Sequence, residues 1–190
     1  MSPVKPGPGV RWSVHPSGQC APVAFGPRAL ERRVKCRSFY FDLHLLEDFW
    51  LRRKYHHTIS SALVYALHEA LTMVEEEGIE ARWARHHAMA TTTWAWVEAL
   101  SKDTGRPFGI AAAAGARSST VTAVTLPDEL TGDAIVQAVA RRGYVIGGGY
   151  GRLKSSTIRI GHMGDHTVEG LRRVLDVTAE AIVELLGKST

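Results

Sequence analysis

Cysteine is almost missing from this chain: Cys20 and Cys36 are the only two in 190 residues. That is too few for a disulfide framework, and without a C-x-x-C spacing neither a thiol metal site nor a redox motif is implied. No run of about 18 apolar residues occurs, so no membrane-spanning helix and no membrane partner are expected. Prolines interrupt the first 30 residues where a signal peptide needs an unbroken apolar segment, and the expected location is the cytoplasm. Proline is scarce after residue 27, because six of the eight fall between residues 3 and 27 beside Gly7, Gly9, Gly18 and Gly26. That segment cannot hold a long helix, and residues 1–20 are expected to form an irregular arm.

What is present is a composition of 45% hydrophobic and 22% charged residues, enough for one well-buried core and a second partial one. The net charge of +4 raises the question of an acidic partner. The basic groups Arg28, Arg32, Arg33, Lys35 and Arg37, and then Arg52, Arg53 and Lys54, are interleaved with Glu31, Asp42, Glu47 and Asp48. Such runs read as solvated faces, and no nucleic-acid partner is expected.

After the arm, Ala21 to Phe25 reads as extended and Pro27 to Arg33 as a short helix. Leu63, Ala66, Leu67, Ala70, Leu71 and Val74 recur at i, i+3, i+4 spacing and predict a helix over 60–77, capped by Ser60 or Ser61. Gly78 interrupts it, and a second helix is expected over 79–100, weakened by three threonines at 91–93. Beyond Gly105 the texture turns β-branched. Ser119 to Leu126 predicts a strand, Thr131 caps a helix running to Arg142, Gly143 sits at its C′ position, and Tyr144–Ile146 and Thr157–Ile160 are short strand candidates. Val168, Leu171, Leu175, Thr178, Ile182 and Leu185 mark a final helix, with Gly187 expected just past its end. The expected domains are the arm over 1–20, a middle part over 21–100 and a small domain over 101–190. The last is an α+β unit: a small antiparallel or mixed sheet with helices on one face, its boundary in the loop-like segment 100–117.

Three places could carry chemistry. On the strand around residue 159, Ile158 and Ile160 alternate with Arg159, so burying the isoleucines aims the guanidinium at the opposite face. There it could grip a carboxylate through two parallel hydrogen bonds, or serve as an ordinary solvated arginine. The run Gly147, Gly148, Gly149 and Gly151 could bring backbone close to a ligand or hold a turn with positive φ. It is no P-loop, since no Gly-Lys-Ser or Gly-Lys-Thr follows. Ahead of the helix at 60–77, the hydroxyls of Tyr55 and Thr58 could donate to a phosphate or other anion. Alternatively, Thr58 caps and Tyr55 packs. The nine histidines invite a metal reading, above all His162 with Asp165 and His166. The first of these follows a strand and the last precedes a helix, so no ligand set is specified and no metal is expected. Asp165 or Thr167 is expected instead to serve the N-terminus of the final helix.

In order and wording these features match one family. The strings SFYFDLHLLEDFW, RKYHHTISSALVYALHEALTMVEEEGIEARWARH and VIGGGYGRLKSSTIRIGHMGD, with APVAFGPRALERR before them, resemble the second half of class V pyridoxal-phosphate aminotransferases of the alanine–glyoxylate and serine–glyoxylate kind. The resemblance covers residues 20–187, with YHHT and RIGHMGD its most specific parts. It implies an α/β fold, the carboxy-terminal part of a fold-type I transferase joined by a long linking helix, with residues 21–100 a remnant of the large domain and inter-domain helices. It further implies that Arg159 binds the α-carboxylate of the substrate, that Tyr55 and Thr58 contact the phosphate of pyridoxal 5′-phosphate across a dimer, and that residues 147–149 form a loop near the substrate.

The same resemblance shows a departure. The family's Schiff-base lysine falls by spacing close to Trp12, where this sequence has none, and Lys5 lies too far upstream. No catalytic residue is therefore assigned. The chain is expected to transfer an amino group from an amino acid to a 2-oxo acid only when complemented, as a homodimer or with a partner chain supplying the large domain. The rival expectation is a non-catalytic dimerisation or binding module that keeps the small-domain fold.

Overall fold

The computed structural model describes residues 11–17, 19–32, 38–56 and 58–188. It comprises two compact units, Met1–Glu76 and Glu77–Thr190.

The first unit opens with a hairpin, β1 (Arg11–Ser17) and β2 (Gln19–Phe25), paired antiparallel from Arg11 opposite Phe25 to Ser17 opposite Gln19. This corrects the irregular arm expected for residues 1–20, of which 1–10 lie outside the described residues. The reason lies in the pairing: a two-stranded ribbon leaves one edge of each strand open, where a proline's missing N–H costs nothing. Helix α1 (Pro27–Glu31) starts on its proline. The next, α2 (Leu43–Leu51), was not expected. Its signal is Asp42, whose carboxylate accepts from the backbone N–H of His44 at 3.0 Å and Leu45 at 3.1 Å. Helix α3 (Ser61–Glu77) begins as the sequence predicts, with Ser60 Oγ accepting from Leu63 N–H at 3.4 Å. None of its residues is buried.

The second unit holds the main core. Helix α4 (Ile79–Thr104) starts after Gly78 at φ 82° and stops at Gly105 in the left-handed region. The three threonines do not break it, because Thr91, Thr92 and Thr93 each return their hydroxyl to a carbonyl one turn back. Strands β3 (Gly109–Ile110), β4 (Val121–Thr125), β5 (Gly147–Gly148) and β6 (Thr157–Gly161) form one antiparallel sheet in the order β3-β4-β6-β5. Helices α5 (Gly132–Ala140) and α6 (Val168–Lys188) complete the unit. Thr122, Val124, Ile158 and Ile160 point to one face and are buried with Met89 and Val97 of α4, Ile135 and Val139 of α5, and Leu171, Leu175 and Ile182 of α6. Each aliphatic side chain so buried contributes about 1.5–3 kcal/mol.

Three local expectations differ. The sequence placed α4 before a boundary at 100–117, yet its buried face of Met89, Ala90, Thr93, Val97 and Leu100 packs with β3, β4 and α6. The strand expected at Tyr144–Ile146 does not form: Gly143 at φ 84° turns the chain out of α5, and pairing begins only where Gly147 meets Arg159. Gly187 lies within α6, without the positive φ of a C′ glycine.

Candidate functional site

Arg159 sits at the centre of β6, flanked by Ala123 on β4 and Gly147 on β5. Its neighbours Ile158 and Ile160 are 0% and 1% exposed, so strand alternation leaves the guanidinium on the open face, as the sequence predicts. The side chain does not wave in solvent. Its Nε–H donates to the Gly148 carbonyl at 2.7 Å. No carboxylate pairs with it among the described residues, and both Nη groups keep their donors for a ligand. A guanidinium fixed by a neutral acceptor at Nε, with the terminal fork open, has the donors to take a planar anion through two parallel hydrogen bonds.

The strand is anchored at both ends. Thr157 Oγ–H donates to the Leu153 carbonyl at 2.7 Å, and Gly149 N–H donates to the Thr157 carbonyl at 3.0 Å. At the other end His162 is fully buried. Its Nδ1 lies 3.1 Å from the Ser119 carbonyl and its Nε2 lies 2.9 Å from Thr122 Oγ. A carbonyl only accepts, so Nδ1 carries the proton and Nε2 accepts from the Thr122 hydroxyl. That hydroxyl in turn accepts from Trp94 Nε1–H at 3.1 Å. Burial pushes the His162 ring below the ordinary histidine range, opposed in part by its bond to Ser119. His162 is thus a neutral tie between β4, β6 and α4. No group of three metal-ligating side chains occurs among the described residues.

The loop after β6 is pinned to the start of α4. Glu77 takes Arg85 through two hydrogen bonds, Nε at 2.6 Å and Nη2 at 2.8 Å, and takes Arg82 Nε at 2.8 Å. Those bonds, Arg85 first, hold the Glu77 carboxyl down to about 2. Arg82 continues to Asp165 at 2.9 Å, and Arg85 donates to the Gly164 carbonyl at 2.9 Å. Of the two residues expected at the start of α6, Thr167 takes that role, its hydroxyl accepting from Gly170 N–H at 3.1 Å, while Asp165 is ion-paired. Sequence reasoning missed this cluster. The only trace was Gly78 beside Glu77 and two arginines at helical spacing.

Tyr55 and Thr58 belong to the first unit, in the irregular stretch between α2 and α3. The ring of His56 stacks on Phe39 at 4.0 Å and meets Phe49 edge-on at 5.3 Å. With that ring held, Tyr55 projects outward, 74% exposed. It does not pack, and the cap of α3 is Ser60 rather than Thr58. Both hydroxyls are without a partner among the described residues. His57, between them, lies outside the described residues. A concavity in the second unit is lined by Arg82, Trp83, His86, Ser119 and Thr120 and contains none of the candidate residues.

The glycine run resolves into separate roles. Only Gly151 has a positive φ, 56°. A methyl group at Gly149 would stand 2.0 Å from the Leu153 carbonyl oxygen and 2.4 Å from Thr157 Oγ, so this glycine closes backbone on backbone.

No family model matches the chain. It is 32% identical over 171 residues to an alanine–glyoxylate aminotransferase of Drosophila melanogaster, covering 85% of this chain and 42% of that protein. It is 35% identical over 138 residues to the (S)-ureidoglycine–glyoxylate transaminase of Bacillus subtilis, covering 72% of this chain and 32% of that protein. Among solved structures, an alanine–glyoxylate aminotransferase from Nostoc sp. superposes with a TM-score of 0.74 at 29% identity, covering 86% of this chain and 44% of that one. The chain therefore spans less than half the length of these relatives.

Proposed function

The chain is homologous to part of the class V pyridoxal-phosphate aminotransferases, and on that premise we propose that it carries the substrate-carboxylate and cofactor-phosphate contacts of a transaminase. The reaction moves an amino group from an amino acid to a 2-oxo acid of the glyoxylate kind.

The observation that carries this reading is Arg159, with Nε bonded to Gly148 and its terminal fork unpaired among the described residues. The two Nη groups take the α-carboxylate through parallel N–H donors and so fix how the substrate's Cα is presented. Tyr55 and Thr58 fit the phosphate end of the cofactor: two exposed, unpartnered hydroxyls three positions apart suit an anion's oxygens. Bound there, pyridoxal phosphate supplies the electron sink that acidifies the substrate's α-proton. By the family resemblance, the phosphate held by these hydroxyls belongs to the neighbouring subunit of a dimer. The residues do not fit the aldehyde end, because by the family resemblance the Schiff-base lysine falls by spacing close to Trp12, where this sequence has no lysine. A lysine elsewhere, in a longer polypeptide or a partner chain, must complete the site.

The test is complementation. The chain is mixed with a separately made large domain carrying that lysine, and glyoxylate-dependent transamination is followed. Activity is expected only in the mixture, with Arg159→Ala raising KM for the amino donor by roughly 10–100-fold, the loss of a charge-assisted pair. Transamination by the chain alone contradicts the missing-lysine reading. A mixture that assembles yet stays inactive favours the non-catalytic module.

A further inference from the structure

We infer that Gly147 is a positioning residue for Arg159: the absence of a side chain there is what lets the guanidinium lie across β5 in its carboxylate-binding attitude. The inference rests on the proposed carboxylate role of Arg159 and extends it to a residue that touches no substrate.

Gly147 and Arg159 face each other across the β5–β6 ladder. A Cβ built on Gly147 would lie 3.3 Å from Arg159 Cβ, 3.3 Å from Nε and 3.4 Å from Nη2. All three near atoms belong to one side chain, and they include both the root and the head of the guanidinium arm. The root cannot yield without moving β6, so the head must. Moving the head stretches the 2.7 Å bond from Nε to the Gly148 carbonyl, the bond that sets the direction of the open fork.

The usual reason for a glycine is missing here. Gly147 has no positive φ, which within this run belongs to Gly151 alone. Nor does its Cβ direction meet backbone, as that of Gly149 does. Gly148, next in line, would place a Cβ no closer than 3.9 Å to anything, ordinary contact that leaves room for alanine. The crowding at 147 is specific to the arginine. On the other flank Ala123 pairs with Arg159, so the residue is flanked in the sheet by two of the smallest residues.

The test uses the whole 190-residue chain, uniformly labelled with 15N, and glyoxylate as the probe. The Arg159 Nε–H resonance is identified by its loss in Arg159→Lys, and the Gly148 amide serves as a second reporter present in every variant. In the parent chain glyoxylate is expected to shift both signals. Gly147→Ala is expected to speed solvent exchange of the Nε–H and weaken glyoxylate binding roughly fivefold, since the displacement asked for is a few tenths of an ångström. In the Arg159→Lys background, where the branched head is gone and only the contact with the root at Cβ remains, Gly147→Ala should cost clearly less in binding and in unfolding midpoint. An equal cost in both backgrounds makes the glycine a backbone requirement and overturns the inference, as does unchanged glyoxylate binding in Gly147→Ala. Should Gly147→Ala fail to fold, the double variant decides: folding restored by the lysine supports the clash, and folding still lost overturns it. A parent chain whose Nε–H is protected but indifferent to glyoxylate removes the carboxylate role itself, a result distinct from any failure of Gly147.

Discussion

Helices α3 and α6 carry the same kind of apolar stripe, yet one is buried and the other is not. In α6 Leu171, Leu175, Thr178, Ala181 and Ile182 are nearly inaccessible, whereas in α3 no residue is buried and Leu71 is 57% exposed. Periodicity specifies which face of a helix is apolar, not whether anything covers it. The second unit supplies its own cover through α4, α5 and the sheet. In the first unit the only buried hydrophobic among the described residues is Leu46. Most helical stability comes from tertiary packing rather than propensity, so the two helices should differ in thermodynamics as much as in burial.

The largest expected effect comes from the covered side. Ile160→Ala should cost about 2–5 kcal/mol, because it opens a cavity in a packed core. The matching truncation Leu67→Ala on α3 should cost under about 1 kcal/mol in the isolated chain, where that side chain is only half-buried. Urea unfolding followed by helix signal measures both. Equal costs would erase the distinction between the units, and a Leu67→Ala cost that rises when a partner is added would show α3 being covered by that partner.

Next in size is a contrast inside the glycine run. Gly149→Ala should destabilise by about 1–3 kcal/mol or more through overpacking against backbone, its Cβ falling 2.0 Å from the Leu153 carbonyl oxygen. Gly148→Ala should be close to neutral in the same unfolding experiment. If the two cost the same, the run is a generic flexible hinge rather than a set of individually placed contacts.

Much of the second unit was legible because its pattern and its packing coincide. The strand at 157–160, the capping of α5 by Thr131 and the stripe of α6 follow from alternation, a threonine ahead of an apolar run and 3.6-residue spacing. The edge strand β3 was not, since Gly109 and Ile110 join the sheet at only two positions and a glycine beside an isoleucine carries no alternation. The open-face placement of Arg159 could be read, whereas the carbonyl that steadies it could not. That acceptor is a main-chain atom eleven residues away, and no residue type advertises it. Tyr55 and Thr58 were recognisable as a motif, but their freedom depends on Ser60 capping α3 and on His56 stacking with Phe39. Both are choices among chemically equal candidates that sequence alone leaves open.

A pH scan probes the second unit differently. His162 is held neutral by burial, its ring pushed below the ordinary value of 6.5. As pH falls past that value the unfolded chain takes up a proton that the folded ring refuses, so stability declines until the folded ring protonates as well. Glu77, held down to about 2 chiefly by Arg85, behaves as a paired carboxylate: its contribution is complete above the ordinary carboxylate range and is lost as pH drops toward about 2. The unfolding midpoint should therefore fall in two separated intervals. His162→Gln should flatten the upper one, and an unchanged slope there would exclude the histidine as its source.

The smallest effect returns to the uncovered helix. Ser60 supplies α3 with its one described side-chain cap, a 3.4 Å bond from Leu63 N–H, and with no residue buried the helix has little else to hold its first turn. Ser60→Ala should cost about 0.5–1 kcal/mol, the low end for a cap bond of that length. It should do so locally: amide exchange in residues 61–66 should quicken while α6 amides stay as they were. Removing the cap of α5 with Thr131→Ala is the control, for there Ile135 and Val139 are buried against the core and packing should hold the helix while the cost appears in global unfolding. If Ser60→Ala slows nothing and speeds nothing in α3, the helix is already frayed at its start, and the cap is a geometry without a consequence.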